Sequence, residues 1–155
     1  MSSDIGNILL KRRRFLALVP ATLGAGALSS VLGGCGANTG EVIDGTVTVQ
    51  NGQALVPFSQ FPKLASVGGH VVVATGSGGR YIVIRTSATD AVTLTAVCTH
   101  AHCLVGYQAS TQEIVCPCHG SVYSSSGAVL QGPAIAPLAT FPGTLDATGV
   151  TITVT

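Results

Sequence analysis

Residues 98–103 (Cys-Thr-His-Ala-His-Cys) and 116–121 (Cys-Pro-Cys-His-Gly-Ser) hold four of the five cysteines of the chain and three of its four histidines. The second stretch begins 13 residues after the first one ends. Thiolates and imidazoles are the usual protein ligands of transition metals. We therefore expect two loops that close on one metal centre.

Two kinds of metal centre are compatible with these ligand types. A structural zinc site takes four Cys and His ligands, and such a set could be drawn from the two loops. Zinc would not account for the two remaining cysteines or for Tyr123, which follows the second stretch. A zinc-stabilised lipoprotein without redox activity stays open as an alternative.

The arrangement Cys-x-His-x-x-Cys followed by Cys-Pro-Cys-His-Gly-Ser-x-Tyr resembles the two motifs of the Rieske family, in its high-potential, disulfide-containing branch. Arg85, Gly132-Pro133-Ala134 and Pro137-Leu138 resemble the family as well. The resemblance covers residues 46–155 and implies a Rieske-type antiparallel β-sandwich with a small cluster-binding subdomain.

The resemblance implies a 2Fe–2S cluster and assigns its ligands. Cys98 and Cys116 would bind one iron as thiolates, and His100 and His119 would bind the other through neutral imidazoles. Imidazoles leave the cluster less negative, so Rieske potentials lie at about −150 to +300 mV instead of about −400 mV for plant-type ferredoxins. This range suits one-electron transfer from quinol-like donors.

The resemblance also gives roles to residues that do not bind iron. Ser121 would donate a hydrogen bond to a bridging sulfide, and Tyr123 would donate one to the Cys98 sulfur, so that both favour the reduced cluster. Pro133 would make a short, rigid loop over the cluster.

Cys103 and Cys118 are left over, and by the same resemblance they form a disulfide between the two loops. Disulfides persist in oxidising compartments, whereas the cluster has to be assembled in the cytoplasm. Export of the folded protein would satisfy both conditions.

Composition independently favours an all-β protein. Charged residues are 8% of the chain, Gly occurs 20 times and Trp is absent, which suits strands and tight turns better than amphipathic helices. Four of the seven basic residues lie together at 11–14, and the chain beyond Cys35 is weakly acidic. Because no basic surface remains to neutralise phosphates, nucleic acid is not an expected partner.

Short apolar or alternating stretches predict a series of strands. Asn51-Gly52 predicts a hairpin turn, and residues 76–79 predict another one. No stretch after Leu32 predicts a long helix. The predicted strands are 46–50, 53–56, 70–75, 81–85, 93–97, 104–108, 113–115, 122–123, 128–130 and 150–155.

Residues 1–35 have the pattern of a signal sequence or membrane anchor. Arg12-Arg13-Arg14-Phe15-Leu16 fits the twin-arginine export pattern, in which Arg12 and Arg13 are the paired arginines. An uncharged, apolar tract of 20 residues follows at 15–34. An ordinary basic flank would also explain the arginines.

Val31-Leu32-Gly33-Gly34-Cys35 resembles a bacterial lipobox, which would make Cys35 the lipidated first residue of the mature chain. An uncleaved helical anchor is the alternative. Residues 36–45 would then form a short tether ahead of the Rieske domain. We expect an exported, membrane-anchored protein that faces the periplasm or cell exterior of a bacterium.

Two redox functions are compatible with these features. The first is the Rieske subunit of a quinol-oxidising bc-type complex, with cytochrome b or c subunits, and quinol itself, as partners. The second is the small subunit of a periplasmic molybdenum oxidase of the arsenite-oxidase kind. Quinol-oxidising members carry Leu-Gly where this chain has Ala101-His102, which leaves quinol docking open.

Overall fold

A computed structural model describes residues 43–154 of the chain. This part forms short strands and one 3₁₀ turn, Pro62–Ala65. No helix among these residues is long and apolar enough to cross a membrane. The strands are β1 (Gly45–Val47), β2 (Val49–Gln50), β3 (Gln53–Pro57), β4 (His70–Thr75), β5 (Arg80–Arg85), β6 (Ala91–Thr95), β7 (Gly106–Gln108), β8 (Glu113–Val115), β9 (Val122–Ser124), β10 (Val129–Gln131), β11 (Thr140–Phe141), β12 (Gly143–Leu145) and β13 (Gly149–Thr153).

The strands form three sheets. A five-stranded sheet has the order β1-β4-β5-β6-β11, and a four-stranded sheet has the order β12-β13-β3-β2. The third sheet, β10-β9-β8-β7, is built from consecutive strands and forms a separate subdomain. Pairing is antiparallel throughout these sheets except between β1 and β4.

The five-stranded sheet is the middle layer and is buried on both faces. Successive side chains of a strand point to opposite faces, so Val71 and Val73 join the core shared with β3 and β13. Val72 joins the other core, together with Ile114 and Tyr123 of the subdomain. Burial of both faces explains why β4 contains three consecutive valines, Val71, Val72 and Val73, instead of alternating apolar and polar residues.

The all-β prediction is confirmed, and so is the predicted turn at residues 51–52. Asn51 and Gly52 have φ values of 51° and 74°, the left-handed conformation that a tight hairpin turn requires. The predicted strand 46–50 divides at Thr48, because β1 pairs with β4 while β2 pairs with β3. Gly45 already lies in β1, so the sheet reaches into the stretch expected to be a tether.

Candidate metal centre

The two loops that carry the Cys and His residues lie at one end of the subdomain. Residues 98–103 lead into β7, and residues 116–121 connect β8 to β9. Because β7, β8 and β9 run antiparallel in sequence order, the start of β7 and the β8–β9 connection share an end of the sheet. An isolated bridge between Val97 and Leu104 closes the first loop at its base.

Both loops make the same backbone turn. In the first, the Cys98 N–H donates to Cys103 O at 2.8 Å, and the His102 N–H donates to Cys98 O at 3.0 Å. In the second, the Cys116 N–H donates to Ser121 O at 2.8 Å, and the Gly120 N–H donates to Cys116 O at 3.0 Å.

The fifth residue of each turn has a positive φ, 56° for His102 and 73° for Gly120. The repeated turn therefore brings the two loops to the site in one conformation.

The repeated turn points backbone N–H groups at both cysteine sulfurs. Burial works to raise the pKa of Cys98, but hydrogen bonds from the Tyr123 hydroxyl and from backbone N–H groups outweigh it and hold that pKa below its ordinary value. The pKa of Cys116 is raised by burial and by the neighbouring Cys98 thiol. The hydrogen bonds to the Cys98 sulfur favour its thiolate, which is the form that binds metals.

The four predicted ligands divide into a buried pair and an exposed pair. Cys98 and Cys116 are free thiols that are 0% and 1% exposed. His100 and His119 are exposed, and their ring centroids lie 4.9 Å apart with planes at 85°. These residues can supply two thiolates on the inner side of a metal centre and two imidazoles on its outer side.

Cys103 and Cys118 form a disulfide, which confirms the expected pairing. Their Cα atoms are 6.4 Å apart and their sequence separation is 15 residues. On the loop-entropy account, closing a loop of this length stabilises the fold by about 3 kcal/mol. The sulfurs of Cys103, Cys116 and Cys118 lie within 4.8 Å of one another, but the two disulfide sulfurs offer no thiolate.

Tyr123 reaches the buried thiols from β9. Its hydroxyl oxygen lies 3.3 Å from the Cys98 sulfur, and the residue is fully buried. Burial and the hydrogen bond with Cys98 raise the pKa of Tyr123, so the phenol keeps its proton at neutral pH and can donate it. The hydroxyl of Ser121, also fully buried, accepts a hydrogen bond from the Ala134 N–H at 3.0 Å, which leaves the Ser121 proton available to an acceptor.

Residues 131–137, here called the cover segment, are tied to both loops. The Gln131 side-chain amide donates to Gly120 O at 3.1 Å, and the Thr99 hydroxyl donates to Ala136 O at 2.7 Å. Pro133 follows a cis peptide bond and is exposed, whereas Ala134 is buried. The sequence indicated this segment through Pro133, but it gave no signal for Thr99 or Gln131 as anchors.

Of the remaining residues that the sequence singled out, one lies at the surface and three lie in the N-terminal segment outside the described residues. His102 is exposed at the corner of the first loop. The proposed export residues Arg12 and Arg13 and the proposed lipidation site Cys35 lie outside the described residues 43–154.

Comparison with protein families gives one match that spans more than half of the chain. Residues 57–142 match the family described as the Rieske [2Fe-2S] domain. The matched range includes both loops, the disulfide and the cover segment.

Curated relatives are iron-sulfur subunits of cytochrome b6-f complexes. The subunit of Synechococcus sp. (strain JA-3-3Ab) is 42% identical over 81 residues, which cover 51% of this chain and 47% of that protein. The chloroplastic subunit of Arabidopsis thaliana is 30% identical over 135 residues, which cover 68% of this chain and 59% of that protein. The chain therefore spans about half the length of the curated relatives it matches.

Solved structures share the fold. The cyanobacterial plasma membrane Rieske protein of Synechocystis PCC 6803 aligns with a TM-score of 0.50 and 28% identity, over 54% of this chain and 85% of that one. The ferredoxin of carbazole 1,9a-dioxygenase from Nocardioides aromaticivorans IC177 aligns with a TM-score of 0.52 over 65% of this chain and 95% of that one. Its 19% identity shows the fold alone.

Proposed function

Because the chain belongs to the Rieske [2Fe-2S] domain family and is homologous to iron-sulfur subunits of cytochrome b6-f complexes, we propose that it transfers single electrons at a membrane surface. Its cofactor is a Rieske-type 2Fe–2S cluster. The complex that we propose for it oxidises quinol and is of the bc or b6-f type. One observation carries the proposal: two buried free thiols and two exposed imidazoles meet at the end of one subdomain.

In this proposal Cys98 and Cys116 hold one iron, and His100 and His119 hold the other. The donor set fits the family's ligand requirement of two Cys and two His. When bound, the cluster supplies a reversible one-electron couple. The disulfide between Cys103 and Cys118 holds the two loops together, and Tyr123 donates a hydrogen bond to the Cys98 sulfur that stabilises negative charge there.

The exposure of the four ligands sets the side from which electrons enter and leave. Cys98 and Cys116 are closed off by the subdomain, whereas His100 and His119 face solvent. A partner can therefore approach the imidazole side closely. The histidine rings also carry polar nitrogens that a quinol oxygen could reach with a hydrogen bond.

The segment that carries the two histidines is nearly free of charged residues and exposes apolar side chains, which favours an apolar partner. From Cys98 to Pro137 the only Asp, Glu, Lys or Arg is Glu113. Ile135 is 97% exposed and Leu130 is 57% exposed. Charged surfaces steer soluble carriers to their sites, and residues 98–137 supply no charge apart from Glu113. An apolar docking site in a membrane complex fits it better.

A molybdenum oxidase of the arsenite-oxidase kind stays as the second candidate because of one observation. His102 is exposed and follows His100 by two residues, at a position where quinol-oxidising members carry Gly. A polar side chain there is compatible with a water-soluble enzyme partner.

We further propose twin-arginine export and lipidation of Cys35 for the N-terminal segment. Changing Arg12 and Arg13 to Lys should leave the precursor in the cytoplasm, because the export pattern requires both arginines. Cell fractionation with immunoblotting measures this, and Arg14→Lys, which leaves Arg12 and Arg13 in place, is the matched control. Export of the Arg12→Lys, Arg13→Lys protein at the normal level would contradict the proposal.

Reduction by quinol tests the proposed function. The full chain is extracted from membranes with its associated subunits, and electron paramagnetic resonance is recorded after addition of a short-chain quinol or of arsenite. We expect quinol to produce the signal of a reduced Rieske cluster in a preparation that contains cytochrome subunits. Reduction by arsenite and not by quinol would support the second candidate, and zinc without iron or acid-labile sulfide would contradict both.

A further inference from the structure

Thr99 lies between two proposed ligands, and its hydroxyl joins the cover segment to Tyr123. The Thr99 oxygen is 2.7 Å from Ala136 O and 3.1 Å from the Tyr123 hydroxyl oxygen. The Tyr123 oxygen is also 3.3 Å from the Cys98 sulfur, and it accepts a hydrogen bond from the Thr99 N–H at 3.3 Å.

The positions of the hydrogens in this group follow from counting donors. A carbonyl oxygen only accepts, so the short contact with Ala136 O requires the Thr99 hydrogen. The Thr99 oxygen can then only accept from Tyr123. Tyr123 has a single hydroxyl hydrogen, so donation to Thr99 and donation to the Cys98 sulfur exclude each other.

We propose that Thr99 is a positioning residue that competes with the Cys98 sulfur for the Tyr123 proton, and that the redox state of the cluster decides the competition. Reduction adds negative charge to the cluster and its sulfur ligands, and hydrogen bonds to charged acceptors are about twice as strong as neutral ones. The reduced state therefore draws the Tyr123 hydrogen to Cys98. In the oxidised state the hydrogen is shared between Cys98 and Thr99.

The scheme transfers one electron and no proton, because the O–H bond of Tyr123 stays intact while the hydroxyl group rotates. The inference rests on the proposed ligation by Cys98. It goes beyond the expected Tyr123–Cys98 bond because it makes that bond depend on Thr99 and, through Thr99, on Ala136 of the cover segment.

The competition has a consequence for the reduction potential. In the oxidised state the Tyr123 hydrogen can bond to either Thr99 or Cys98, which stabilises the oxidised state relative to the reduced one. Thr99 therefore lowers the reduction potential. Thr99→Val keeps the shape of the side chain and removes the competing acceptor. We expect the equilibrium constant for reduction to rise about twofold to tenfold, where tenfold corresponds to about 59 mV for one electron.

Protein-film voltammetry of the full chain tests this with a double-mutant cycle. Thr99→Val should raise the potential, Thr99→Ser should keep it, and Thr99→Val should have no effect in a Tyr123→Phe background. A rise that persists in the Tyr123→Phe background would trace the effect to the lost contact with Ala136 and overturn the inference. An unchanged or lowered potential in Thr99→Val would also overturn it.

A second measurement needs no substitution at Thr99. With ring-labelled tyrosine, the reduced-minus-oxidised infrared difference spectrum should contain a shifted C–O band that Tyr123→Phe removes. A Tyr123 band that is identical in the two redox states would overturn the reorientation, even if the Thr99 variants failed to assemble the cluster. Absence of a Rieske signal in the unchanged protein would instead overturn the proposed function.

Discussion

His102 holds a backbone conformation that side chains other than Gly rarely adopt. Its φ is 56°, and Gly120 occupies the same position of the matching turn in the second loop with a φ of 73°. For a residue with a Cβ, the left-handed conformation costs roughly 1–2 kcal/mol, although His tolerates it better than most residues do. The first loop therefore carries local strain that the second loop avoids.

Replacing His102 by Gly should stabilise the folded chain. Relief of the left-handed strain outweighs the larger backbone entropy that Gly loses on folding, so we expect the free energy of unfolding to increase by about 1 kcal/mol or less. Denaturant unfolding of the disulfide-intact protein measures this.

The matched control for this substitution is His102→Ala, which keeps the Cβ. It should be no more stable than the unchanged protein, because its backbone still pays for the positive φ. A His102→Gly protein that is less stable than the unchanged one would contradict the account, since the histidine side chain would then make a stabilising contact.

Elements with a strong local pattern could be predicted from the sequence. The three consecutive valines of β4 and the Asn51-Gly52 turn are examples, and the turn residues have the positive φ values that a tight hairpin turn requires. The two-residue β11 was missed, because two residues carry no periodicity and its partner β6 is distant in sequence.

Pro142 separates β11 from β12, and the chain changes sheets there. β11 pairs with β6 in the five-stranded sheet, whereas β12 pairs with β13 in the other sheet. Proline lacks the N–H that a central strand needs, so it is found at edges and breaks of strands. Pro142 therefore accounts for the break between β11 and β12 but not for the change of partner.

In the candidate site, too, local motifs could be predicted from the sequence, whereas contacts between distant residues could not. The candidate ligands lie in two compact motifs, whose residue types and spacing predicted a metal centre, and the resemblance to the Rieske family assigned the four ligands. The anchors of the cover segment were not predictable in this way, because Thr99 and Ala136 are 37 residues apart and either side chain would suit an ordinary surface. Contacts of this kind depend on the three-dimensional packing of the subdomain on the five-stranded sheet.

At the scale of the whole molecule, the layers of the described part of the chain have different roles: the sheets form the scaffold and the subdomain carries the site. Two sheets enclose one core, and the subdomain packs on the opposite face of the middle sheet through a second core. The two loops and the cover segment close the free end of that subdomain. A small, crosslinked site is thus held by a scaffold whose own core does not include the histidines.

The central claim is that Cys98, His100, Cys116 and His119 bind the cluster and that His102 does not. Electron paramagnetic resonance of the reduced full chain, with iron and acid-labile sulfide measured on the same samples, tests it most directly. We expect His100→Ala and His119→Ala to lose the Rieske signal and His102→Ala to retain it, because each ligand histidine supplies half of the imidazole coordination of its iron. Loss of the signal in His102→Ala together with its retention in His100→Ala would contradict the account.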